Sequence, residues 1–133
     1  MIKLITGNKG SGKTKKLIEM VNEALSSTKG NVIVIEQGDK LKYDIKYTAR
    51  LIDTDEYKIG GYDSLYGFIA GLAAGNFDIT DIFVDGVLRI CGDDKDALAD
   101  MLDKIDALGN DTKYTFTVSA DTLDLPESIK KYL

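Results

Sequence analysis

The chain has 133 residues, 44% of them hydrophobic and 29% charged, with a formal net charge of −5. That length suits one domain, and that composition excludes a chain disordered throughout. One cysteine excludes an intrachain disulfide, the absence of histidine excludes imidazole bases and ligands, and the acidic balance excludes the bulk electrostatic footprint of a nucleic-acid binder.

The elements read as follows in chain order. Ile2 to Thr6 is a short apolar run ending at Gly7, the pattern of a buried strand. A Gly/Ser-rich loop follows. Leu17, Ile18, Val21 and Leu25 then fall on one helical face. Val32 to Ile35 is a β-branched run, a strand buried on both faces. From Glu36 to Thr48 the chain is polar, tyrosine-rich and irregular, and Leu51-Ile52 is a short strand. Asp63 or Ser64 can cap a helix carrying Leu65, Phe68, Ile69 and Leu72. Ile82 to Val84 is the next buried strand. Asp93 and Asp94 open a helix with Leu98, Met101, Leu102, Ile105 and Leu108 on one face. Tyr114 to Val118 is the last strand. Asp124 is a plausible cap for a short terminal helix, with Pro126 in its first turn. The alternation predicts an α/β protein, a three-layer α/β/α sandwich on a mostly parallel sheet of about five strands, in a single domain over 1–133.

Residues Gly7, Asn8, Lys9, Gly10, Ser11, Gly12, Lys13 and Thr14 fit G-x-x-x-x-G-K-[ST], the phosphate-binding loop. Glycines let the backbone wrap closely and turn several N–H groups inward. The helix opening near Lys13 points its positive dipole end at an anion. Lys13 supplies a point charge to the β- and γ-phosphates, and the Thr14 hydroxyl can coordinate Mg²⁺. The loop lies after a strand and before a helix, as that role requires. Asp85 follows the apolar triplet Ile82-Phe83-Val84. At the carboxyl end of a strand it would hold Mg²⁺ directly or through water. A turn Asp-Gly after an ordinary strand would look the same; the loop upstream favours the metal role.

On the residues at 7–14 and 81–85 the chain resembles the P-loop NTPase superfamily. Its order of elements is most similar to the branch with an additional strand between the loop strand and the Asp85 strand, as in recombinase-type (RecA-like) ATPases and the P-loop core of thymidine kinases. The resemblance implies binding of a nucleoside triphosphate, with ATP as the expected base type, and Mg²⁺ as cofactor. It also implies a polar residue at the end of the strand after Asp85. Ser119 is preferred there over Thr117. Many members of that branch carry Glu directly after the metal Asp, where this chain has Gly86. The water-activating role would then fall to Glu36, with Asp39 as fallback; a solvated loop carboxylate is the alternative for Glu36. A zinc-bearing lasso, an arginine-rich lid and the guanine motif Asn-Lys-x-Asp have no counterpart.

Arg50 and Arg89 are the two arginines. Arg89 could face phosphates, reach a neighbouring subunit, or lie on the surface. Tyr43, Tyr47, Tyr57 and Tyr62 could stack on a base, but half-buried packing under a loop is the favoured reading. The acidic series Asp93, Asp94, Asp96, Asp100, Asp103 and Asp106 reads as a helix N-terminus followed by a solvated face. Lys9, Lys13, Lys15 and Lys16 form a local positive patch suited to a triphosphate. Cys91 reads as a small buried hydrophobe.

The expected function is Mg²⁺-dependent binding of a nucleoside triphosphate with slow or partner-stimulated hydrolysis. Lys13 and Glu36 are the catalytic candidates, and Thr14 and Asp85 the metal candidates. A small-molecule kinase with its acceptor over 36–61, or a non-hydrolysing sensor module, remains as an alternative. A protein partner or self-association is expected, because little chain is left for a specificity domain. No apolar run approaches the ~20 residues of a membrane span, and Met1 to Gly7 lacks a signal peptide's features, so a cytoplasmic protein without a membrane partner is expected.

Overall fold

The computed structural model describes every residue from Met1 to Leu133. Five strands form one sheet: β1 (Ile2–Gly7), β2 (Asn31–Glu36), β3 (Arg50–Asp53), β4 (Ile79–Val84) and β5 (Lys113–Ser119). Their order is β1-β5-β4-β2-β3, and every pairing is parallel. Parallel neighbours need long crossovers. Helices supply most of them: α1 (Lys13–Ser27), α2 (Tyr62–Gly75), α3 (Val87–Cys91) and α4 (Lys95–Asp106), with α5 (Glu127–Lys130) at the end of the chain.

The period of two along each strand divides the core. Ile33, Ile35, Ile82, Val84, Tyr114, Phe116 and Val118 face one side, where Leu65 and Ile69 of α2, Leu98, Leu102 and Ile105 of α4, and Ile129 of α5 meet them. Ile5, Val32, Val34 and Phe83 face the other, under Leu17 and Val21 of α1. Each fully buried aliphatic side chain contributes about 1.5–3 kcal/mol through removal from water. Helices therefore cover both faces, and the layer expectation holds at this level.

The β2–β3 crossover is not helical. Leu41, Ile45 and Ala49, spaced by four residues, drop into the α1-side core instead. Asn22 of α1 clamps this segment: its Nδ2 donates to Asp44 O (3.1 Å), and its Oδ1 accepts from Lys46 N (3.4 Å). With the inward positions taken, Tyr43 and Tyr47 point out, 86% and 94% exposed. This corrects the expectation that they pack half-buried. Tyr62 does pack so, its hydroxyl donating to Gly92 O at 2.6 Å.

Asp94 caps α4 as expected, accepting from Asp96 N and Ala97 N. The other two caps differ. Gly61 precedes α2 with no side-chain cap, and Ser64 Oγ instead donates to Gly61 O. Asp121 caps a 3-10 turn over Thr122–Asp124, and Pro126 stands before α5. Asp103 is not simply solvated. Its carboxylate accepts from Tyr132 Oη at 2.6 Å and pairs with Lys131 at 2.9 Å, which ties the last residues to α4. Tyr132 O also accepts from Leu4 N at the outer edge of β1. No helix is long and apolar enough to cross a membrane.

Candidate functional site

All five strands point their carboxyl ends the same way, so the segments after β1, β2, β4 and β5 gather at one edge of the sheet. The glycine-rich loop leaves β1 there. Gly7, Gly10 and Gly12 have φ of +150°, +84° and +88°. A β-carbon at Gly7 would strike Ser11 Oγ. Gly12 stands before α1 in the left-handed region, where side chains are strained. These two positions let the loop close into a tight curl that opens directly into α1.

Lys13 and Thr14 are the first residues of that helix. Lys13 is 8% exposed, and its Nζ donates back to Asn8 O (2.9 Å) and Ser11 Oγ (3.4 Å). Burial pulls the Lys13 ammonium below its usual range; Asp85 opposes this and Arg89 adds to it. Thr14 Oγ1 donates to both Asp85 oxygens, at 3.2 and 3.3 Å, joining positions 71 residues apart. Lys9 and the loop's outer residues are exposed.

Asp85 follows β4 directly and is 8% exposed. Its backbone N–H donates to Ile35 O (2.9 Å), continuing the β2 pairing one residue beyond the strand. Thr117 Oγ1 donates to Asp85 Oδ1 (2.8 Å) and accepts from Gly86 N (2.7 Å). Thr117 thus meets Asp85, whereas Ser119, the preferred strand-end residue, is exposed beside Gly7 without a side-chain hydrogen bond. Thr117 is the residue that sequence reasoning ranked second. Strand alternation was its signal, because Thr115, Thr117 and Ser119 share the face opposite Tyr114, Phe116 and Val118.

Glu36 ends β2 and is 5% exposed. Its two oxygens accept from Lys40 N (3.2 Å) and Leu41 N (3.1 Å), so the carboxylate fastens the start of the β2–β3 crossover. Burial pushes the Glu36 carboxyl up, against the pull of those two N–H groups, and the nearby Asp85 and Asp39 charges add to the rise. Asp39 is exposed and paired with Lys42.

No group of three or more acidic or thiol side chains converges to hold a metal by itself. The oxygens of Thr14 and Asp85 make a two-ligand set. That fits Mg²⁺, which keeps several waters and takes its remaining ligands from a substrate's phosphates. A cleft of about 860 Å³ opens at the opposite edge between Lys3, Ile79, Thr80 and Thr112 and includes none of these residues.

No protein-family model matches this sequence, and no curated protein matches it. The fold and the site define an α/β protein with a five-stranded parallel sheet, whose glycine-rich loop, buried lysine and buried aspartate meet at the carboxyl edge.

Proposed function

We propose that this chain is a P-loop nucleotide-binding protein that takes a nucleoside triphosphate, ATP in the first instance, together with Mg²⁺. One observation carries the reading. The glycine-rich loop opens a helix whose second residue, Thr14, is hydrogen-bonded to the strand-end Asp85. In this reading the loop N–H groups and Lys13 hold the phosphates. Thr14 and Asp85 hold the metal, which neutralises phosphate charge when bound. The sheet order supports it too, since β5 lies between the loop strand and the Asp85 strand.

Turnover in this reading is slow or waits on a partner. Gly86 offers no carboxylate, and Glu36 already accepts a backbone N–H on each oxygen. These two observations favour a binding module as the second reading. Glu36 acts as a base only through its remaining lone pairs, with a water within hydrogen-bond reach.

Equilibrium binding of ATP with and without Mg²⁺, for the parent and Lys13→Ala, tests the site. If Lys13→Ala binds ATP as well as the parent does, the reading is wrong. Phosphate release across a protein-concentration series, with Glu36→Gln alongside, separates the two readings. Hydrolysis that survives Glu36→Gln unchanged removes the base. No release at any concentration favours the binding module.

A further inference from the structure

Thr115 lies on β5, between β1 and β4 in the sheet, and is 5% exposed. A central strand of a parallel sheet is ordinarily apolar on both faces. Here the face toward α1 carries Lys113, Thr115 and Thr117. Thr117 is accounted for by Asp85. Thr115 is not, because its hydroxyl bonds to no other group of the protein. Thr54 Oγ1 is the one side-chain polar atom sealed inside without a partner, so the Thr115 hydroxyl is open. It opens into the cleft of about 860 Å³ at the amino edge of the sheet.

Strand pairing sets what surrounds that hydroxyl. Lys3 of β1 stands beside Thr115 on one side, and Phe83 of β4 on the other. Lys113 is two residues back on the same face. Met20 and Ala24 of α1 form a wall of the cleft, and the exposed Phe77 ring stands beside it. Neither Lys3 nor Lys113 forms an ion pair within 4 Å. Three carboxylates also line the cleft. Asp81 accepts from Thr80 Oγ1 at 2.9 Å, and Glu23 and Asp111 are exposed.

We propose that this cleft is a second binding site, and that it takes a small carboxylic acid with an aromatic or aliphatic body. The Thr115 hydroxyl donates to the carboxylate, and the Lys3 and Lys113 ammoniums supply the opposite charge. The body lies over Phe83 and against Met20 and Ala24. The cleft falls in the ordinary range of small-molecule sites, about 300–1,000 Å³. The three nearby carboxylates favour a singly charged head over a phosphate. The site stands at the edge opposite the glycine-rich loop and does not depend on the nucleotide-binding reading.

The test is an NMR titration of the parent, Thr115→Val and Lys3→Gln with naphthoate, beside its neutral counterpart naphthalenemethanol. Thr115→Val keeps the shape of a side chain whose hydroxyl has no partner, and Lys3 is exposed, so both variants should melt with the parent. Naphthoate should bind the parent with a Kd of about 1 mM or tighter and move the amides of Lys3, Met20 and Thr115, not those of Gly10 and Gly12. Thr115→Val and Lys3→Gln should each weaken it by about fivefold or more, and naphthalenemethanol should bind the parent about tenfold more weakly. The proposal is overturned by any of three results: no saturable shifts with naphthoate, equal affinity for the neutral alcohol, or parent-like affinity in both variants.

Discussion

Thr117→Val removes one hydroxyl and almost no volume, and it tests how Asp85 is held. In the parent that hydroxyl donates to Asp85 Oδ1 at 2.8 Å and accepts from Gly86 N at 2.7 Å. Both contacts are buried. Valine leaves a carboxylate without one charge-assisted donor and a backbone N–H without an acceptor. The first loss is about 1.5–3 kcal/mol and the second about 1–3 kcal/mol. The two share one atom and do not add fully, so a net loss of about 3 kcal/mol is expected. At roughly 2.1 cal/mol/K per residue, this chain unfolds with an entropy of about 0.28 kcal/mol/K, and the melting point should fall by about 11 °C. Urea unfolding followed by circular dichroism measures the change, with the slope against urea unaltered. Ser119→Ala is the comparison. Its exposed hydroxyl has no partner, so it should stay within about 0.5 kcal/mol of the parent. A Thr117→Val protein as stable as the parent would refute the reasoning, because Asp85 would then be held by something other than Thr117.

Three further outcomes follow from the same geometry. Burial raises the Glu36 carboxyl above its ordinary range. The stability that this group contributes is therefore present below the unfolded value and is lost as pH rises through the raised folded one. Parent stability should drop relative to Glu36→Gln as pH rises above the ordinary carboxylate range; a pH-independent difference in urea midpoints counts against it. Gly12→Ala meets no atom within 4 Å but must adopt φ of +88°. It should cost about 1–2 kcal/mol by urea unfolding, all of it conformational, and a neutral result would show that the loop relaxes. Burial pushes the Cys91 thiol up to about 12. At pH 8 about one thiol in ten thousand is ionised, so alkylation should be slow in the native protein and fast in urea. Equal rates would show an open thiol.

The strands and long helices were legible because their periods differ. Leu17, Val21 and Leu25 repeat as a helix does, and Val32 to Ile35 is a continuous apolar run. The parts that were not legible are those in which local chemistry has several equivalent outlets. Asp124, the cap expected for the terminal helix, instead ends a 3-10 turn that Asp121 caps, and Pro126 stands before α5 with no side-chain cap. Helix α3 has five residues, too few to show a period. The tyrosines of the β2–β3 crossover read as packing residues, yet the inward positions belong to Leu41, Ile45 and Ala49. Their four-residue spacing was present in the sequence, but without regular helix around it the inward face could not be chosen.

At the site, the sequence contains the groups but not their commitments. Lys13, Thr14 and Asp85 could be found because spacing alone fixes them to a strand end and a helix start. Thr117 needed the pairing of β4 with β5. Val84 pairs with Phe116, and the next step brings Asp85 to Thr117 rather than to Ser119. Alternation puts Thr115, Thr117 and Ser119 on one face, but only the pairing of the two strands picks which of them meets Asp85. Glu36 needed more still. A carboxylate at a strand end reads equally as a base or as a fastening. Which it is depends on where Lys40 and Leu41 send their N–H groups, and here both go to Glu36. A group that must keep its loop in place has little freedom to reorient toward a water. The site's two buried carboxylates, Glu36 and Asp85, are both engaged in holding the protein together, and in the proposed reading those engagements favour the binding module over the hydrolase.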